Sequence, residues 1–212
     1  MIEIDKTNKP HAFRELYQRA NPLPGVRAKV PLLCVTFDRE QDDELVLCES
    51  TVITEYLASL KNSNAKDKQA QFWPADPSER AKLRLFMELC GSSFSSYVAF
   101  SRVQNMQQVK EQHLKLRDEM SNVDAFLSSS LIRPNNRFTL AEAHLVPFVQ
   151  RCCGILPPPY DPLSITDQFG LQTTQLWIQS LLRRKSVILT APDDLSLKRA
   201  KLIKRLGRIS QA

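Results

Sequence analysis

Nothing in this chain approaches the run of about twenty apolar residues that a membrane-spanning helix needs. Its first residues also lack the basic flank and apolar core of a secretory signal. A soluble protein in an intracellular, reducing compartment, the cytoplasm or an organelle interior, is therefore expected. Metal-ligand spacing is missing too. The five cysteines, Cys34, Cys48, Cys90, Cys152 and Cys153, form no C-x-x-C pair, and His11, His113 and His144 stand far apart. No metal site is expected, and four of the cysteines lie among apolar neighbours as small hydrophobes.

What is present is a globular composition. With 42% hydrophobic and 25% charged residues, 212 residues suit one long domain or two short ones. Residues 1–5 alternate like a half-buried strand, 6–10 form a loop, and 12–17 read as a short helix stopped by Asn21-Pro22. Pro31 then heads an apolar run; without an N–H it is barred from a central ladder position, and it admits a cis peptide in a tight turn. Residues 32–37 are β-rich, 38–44 make a polar turn and 45–47 return, which is a hairpin. Glu49 or Ser50 is placed to cap a following helix with Val52, Ile53, Tyr56 and Leu57 on one face. Free N–H groups at such a start bind a carboxylate.

The composition changes after Leu57. Residues 61–71 are polar and linker-like, and Asp76-Pro77 is turn chemistry with a helix beyond. Leu83, Phe86, Leu89, Cys90, Phe94, Tyr97 and Phe100 recur three or four apart, as do Val109, His113, Leu116, Met120, Val123 and Leu127. Two such stripes predict an antiparallel helix pair, with His113 as a core or boundary residue. Thr139 and Glu142 have the spacing of a capping box, a structural signal that starts a helix. Pro157, Pro158 and Pro159 break the chain after Cys152-Cys153. Residues 193–212 hold six basic and two acidic side chains, hence +4 of the overall +6. Leu195, Leu202, Leu206 and Ile209 fall on one face of that segment, which predicts a terminal helix packed on the bundle with solvated charges. An acidic partner or an anionic membrane surface would fit the same basic face. Nucleic acid fits it poorly, because no aromatics interleave the charges.

Several of these motifs together resemble the glutathione transferase family. They are Val30-Pro31 before a hairpin, Glu49-Ser50 at a helix start with Ile53-Thr54-Glu55-Tyr56-Leu57 after it, the Asp76-Pro77 connection, the Thr139/Glu142 box, and the late run from Trp177 to Thr190. The resemblance implies an α+β, two-domain fold: a thioredoxin-like α/β N-terminal domain over residues 1–60, a linker over 61–77, an all-α bundle over 78–192 and a basic tail over 193–212. It also implies glutathione as ligand. The backbone of Val30 beside cis-Pro31 would pair with its cysteinyl part, Glu49 and Ser50 would hold the γ-glutamyl end, and Lys29 would lie near the glycyl carboxylate.

Two departures shape the functional expectation. The approach to Pro31, residues 21–31, is longer than the family's. About 25 residues of strand, loop and helix that open the family's first domain, and supply its catalytic serine, tyrosine or cysteine, have no counterpart before Met1. The N-terminal domain is thus expected to be incomplete, its first strand and helix absent, with no identifiable catalytic residue. A non-catalytic structural or assembly subunit is expected, with a protein partner or a second copy against it. The alternative is an active glutathione transferase, thiol transferase or dehydroascorbate reductase of the omega-like kind whose catalytic N-terminus lies outside this sequence.

Overall fold

The structure, a computed structural model, describes residues 4–5, 7–37, 44–63, 72–129 and 138–211. It divides into two compact units, Met1–Trp73 and Pro74–Ala212. The strand expected over residues 1–5, the hairpin turn and most of the expected linker lie largely outside the described residues.

In the first unit, α1 (His11–Ala20) is followed by β1 (Leu32–Thr36), β2 (Glu44–Cys48) and α2 (Ser50–Ser63). Among the described residues the sheet has two strands, antiparallel, in register from Leu32↔Cys48 to Thr36↔Glu44. Both helices pack on β2. α1 turns Phe13 and Tyr17 inward, four apart and so on one face, and α2 buries Ile53 and Ala58. An ion pair of 2.7 Å from Arg19 to Glu44 joins the end of α1 to the start of β2. The Cys48 thiol donates to the Ala20 carbonyl at 3.9 Å. α2 runs three residues into the span expected as linker.

The second unit is helical: α3 (Pro77–Ser95), α4 (Tyr97–Phe100), α5 (Met106–Ser128), α6 (Leu140–Ile155), α7 (Pro162–Gln168), α8 (Gln172–Leu182), α9 (Lys185–Leu189) and α10 (Leu195–Gln211). α3 opens on an Asp76 cap, whose carboxylate accepts the Glu79 N–H at 2.8 Å, with Pro77 at the first position where its missing N–H costs nothing. α6 is the central element, packing against α3, α8 and α10. Ala141, Leu145, Val149 and Cys152 form one buried stripe along it, and Leu140, Val146 and Gln150 are buried on its other sides, so this helix takes contacts on several sides. Its start is a closed capping box. Thr139 Oγ1 accepts the Ala141 N–H at 3.2 Å, and the Glu142 carboxylate accepts from the Thr139 N–H at 2.7 Å and from its hydroxyl.

Around α6, Phe86 stacks on Phe126 with ring centroids 5.6 Å apart, and Trp177 meets Phe86 edge-on. Val109, Leu116, Met120, Val123 and Leu127 line the buried side of α5. The α3 stripe differs from its sequence pattern in one place. Leu89 is 51% exposed, and Met87 is buried in its stead. Leu89 lies one residue off the Phe86–Cys90 line, and α6 covers the other flank of the helix. α10 belongs to this unit: Leu202 is 4% exposed and Leu195, Leu206 and Ile209 pack beside it on the core. Among the described residues no helix is long and apolar enough to cross a membrane.

Candidate functional site

The residues singled out in the first unit meet at one end of the hairpin. Leu32↔Cys48 is the last registered pair, so Pro31 and Glu49, the next residue on each strand, leave the sheet at the same end, and Val30 and Ser50 follow them. Consecutive Cα atoms are about 3.8 Å apart and paired strands about 5 Å, which brings these four residues into one small area. The Val30–Pro31 peptide is cis. Lys29 and Val30 are both exposed beside it.

Glu49 alone connects β2 to α2, and it carries φ 68°, the one left-handed non-glycine backbone among the described residues. This conformation costs a side-chain-bearing residue about 1–2 kcal/mol, whereas the residues preceding α3, α5 and α6 are extended. The Glu49 carbonyl accepts the Ile53 N–H at 3.0 Å and so enters the helix ladder. The side-chain cap expected of Glu49 or Ser50 is not formed. Among the described residues neither the Glu49 carboxylate nor the Ser50 hydroxyl has a hydrogen-bond partner, and both residues are exposed. The first turn of α2 therefore presents free N–H groups, a free hydroxyl and a free carboxylate together. This set can hold a zwitterionic amino-acid end, the N–H groups and hydroxyl taking its carboxylate and Glu49 its ammonium.

A half-open cavity of about 300 Å³ lies in the same unit, lined by Arg14 and Tyr17 of α1 and by Arg27 and Ala28 of the approach to Pro31. Sequence reading missed it, because its residues come from segments with no shared motif. Its arginines can hold a second anionic group.

The thiols offer little nucleophilic chemistry in the second unit. Burial pushes Cys90 up to about 12 and pushes Cys153 up as well. Burial does the same to Cys152, helped by the negative charge of Glu119 and Asp161. All three are held as neutral thiols. Cys34 is exposed on β1, and all five cysteines are unpaired. Among the described residues no group of histidine, cysteine and carboxylate side chains could hold a metal ion. His11 lies 3.3 Å from Glu15 on an exposed helix face, and His113 stands edge-on to Tyr160.

No family model matches the chain, and no curated protein matches it. Among solved structures it is similar to the Leishmania protein TDR1, titled a unique trimeric glutathione transferase, with a TM-score of 0.61 and 20% sequence identity. The match covers 98% of this chain and 42% of that one. The chain thus spans less than half the length of the neighbour. With the small antiparallel sheet and α1 and α2 in one unit and the all-helical bundle around α6 in the other, the chain has a glutathione transferase-like fold.

Proposed function

We propose that this protein is a glutathione transferase-like structural or assembly subunit that keeps a glutathione-holding element and has no transferase turnover of its own. The observation that carries the ligand half of this reading is the convergence of Val30-Pro31 with Glu49-Ser50 at one end of the hairpin. The unpartnered Glu49 carboxylate and Ser50 hydroxyl at the start of α2 fit the γ-glutamyl carboxylate and ammonium, and the exposed Val30 backbone fits the cysteinyl amide. Lys29, with Arg27 two residues before it, supplies positive charge for the glycyl carboxylate. Support for the non-catalytic half comes from the cysteines. Three thiols are locked neutral by burial.

Retention on immobilised glutathione, followed by assays of aromatic conjugation and of dehydroascorbate reduction, separates the readings. Retention without turnover is the expected outcome. Turnover above the uncatalysed rate would instead support an active transferase, which draws on the same Glu49 and Ser50 geometry. Failure of a folded chain to be retained would remove the ligand half.

A further inference from the structure

The second unit carries a feature that glutathione handling does not use. α10 has Lys198, Arg199, Lys201, Lys204, Arg205 and Arg208 and no acidic residue between Leu195 and Gln211. Its apolar line of Leu195, Leu202, Leu206 and Ile209 is taken up by the core. At 100° per residue, Lys198, Lys201, Lys204, Arg205 and Arg208 fall in one arc of about 120° beside that line. The arc is a continuous basic ridge, and among the described residues only Lys198 of the ridge has an ion-pair partner, Asp194 at 2.6 Å.

At its C-terminal end the ridge becomes concave. Arg205 and Arg208 meet Arg102 and Gln104, from the turn between α4 and α5, around a depression of about 600 Å³ floored by Val103 and Ile209. Val103 is buried and Ile209 half-buried, so the floor is apolar and firm. The Arg205 guanidinium donates to the Ser101 carbonyl, which fixes it across the rim. Neither Arg102 nor Arg208 has an ion-pair partner among the described residues. Three like charges held together with no counter-charge among the described residues repel one another, and an anion placed among them removes that repulsion. Guanidinium groups in particular match the two oxygens of a carboxylate.

We propose that this depression docks a carboxylate side chain of an acidic polypeptide segment on a partner protein, with the Lys201 and Lys204 ridge steering the rest of that segment. Three features favour such an occupant. The arginines border an open depression of about 600 Å³, room for several residues of an acidic segment, whereas a membrane surface would meet the ridge crest. Among the described residues the lining holds no aromatic ring on which a base could stack. The apolar floor suits the methylenes of a glutamate. The site lies within the second unit, so it stands whether or not the protein binds glutathione.

Fluorescence anisotropy of a labelled Asp/Glu-rich peptide, titrated with the full chain at low salt, tests this. Arg102→Ala/Arg208→Ala is expected to weaken binding about tenfold or more, whereas Lys82→Ala/Lys185→Ala, with the same loss of net charge on α3 and α9, changes it less than about twofold. Arg205 is left intact because it is tied to the backbone; circular dichroism confirms that each variant is folded. Absence of peptide binding, or equal weakening by the two double variants, would overturn the proposal. So would tighter binding of phosphatidylserine vesicles or a single-stranded oligonucleotide that depends on the same two arginines.

Discussion

Gly154 of α6 lies so close to Leu195 of α10 that a Cβ on it would stand 2.8 Å from Leu195 Cδ1 and 3.2 Å from Leu195 Cβ. The second contact is to an atom next to the backbone, so α10 itself must shift. Gly154→Ala is therefore expected to destabilise the bundle: overpacking costs about 1–3 kcal/mol, against roughly 1 kcal/mol regained in helix propensity. Gly91 of α3 provides the contrast. Its nearest neighbour would be Leu145 Cδ2 at 4.0 Å, an ordinary contact. Gly91→Ala should stabilise by up to about 1 kcal/mol. Urea denaturation of the two variants should give midpoints displaced in opposite directions.

Thr139 and Glu142 close the start of the helix around which the second unit packs. Thr139→Ala removes the acceptor for the Ala141 N–H and one donor to Glu142, and is expected to cost about 1 kcal/mol or somewhat more. An unchanged denaturation midpoint would contradict this role.

The helix starts show which parts of the fold were legible in the sequence. Thr139 and Glu142 are three residues apart, so their cap could be read directly, whereas Asp76-Pro77 read as a turn before a helix and only the structure shows the Asp76 carboxylate capping it. The hairpin and the α5 stripe were legible for the same reason, being local periodicities. α8 was not. Its preceding residue, Leu171, offers no side-chain cap, and the Thr174 N–H is taken instead by Asp124 of α5 at 2.8 Å, fifty residues away. Local spacing also could not reveal the left-handed backbone of Glu49 between β2 and α2. Nor could it bring Arg102 to Arg205 and Arg208.

His113 predicts a pH effect. Burial, with the nearby Arg117 charge, pushes its imidazole below the ordinary value of 6.5. Its Nδ1 has no hydrogen-bond partner among the described residues. The neutral ring is thus favoured in the folded state, and as pH falls below 6.5 the unfolded chain takes up the proton first. Stability should fall with pH through that window and level off below the lowered folded value. Glu119 acts in the opposite sense, since burial raises its carboxyl above 4.5 and stability declines as pH rises through its own window. Comparing His113→Gln with the wild type between pH 8 and about 5 isolates the histidine. The variant should lose less stability over that range; parallel curves would contradict the account.

Glu49→Gly tests whether the connecting residue is held in its conformation for a ligand. Glycine relieves about 1–2 kcal/mol of left-handed strain and returns about 0.5–1 kcal/mol through its freer unfolded chain. A net stabilisation of up to about 1 kcal/mol is expected, together with weaker glutathione binding. A variant less stable than the wild type would show that the Glu49 side chain serves the fold.

The most direct measurement is isothermal titration of the full chain with glutathione, repeated on Ser50→Ala. Ser50 is exposed and its hydroxyl has no partner among the described residues, so the substitution leaves the fold undisturbed. The account predicts saturable, one-site binding that Ser50→Ala weakens about tenfold or more, the loss of a hydrogen bond to a charged group. A folded wild-type chain that gives no saturable heat, or binding that Ser50→Ala leaves unchanged, would contradict it.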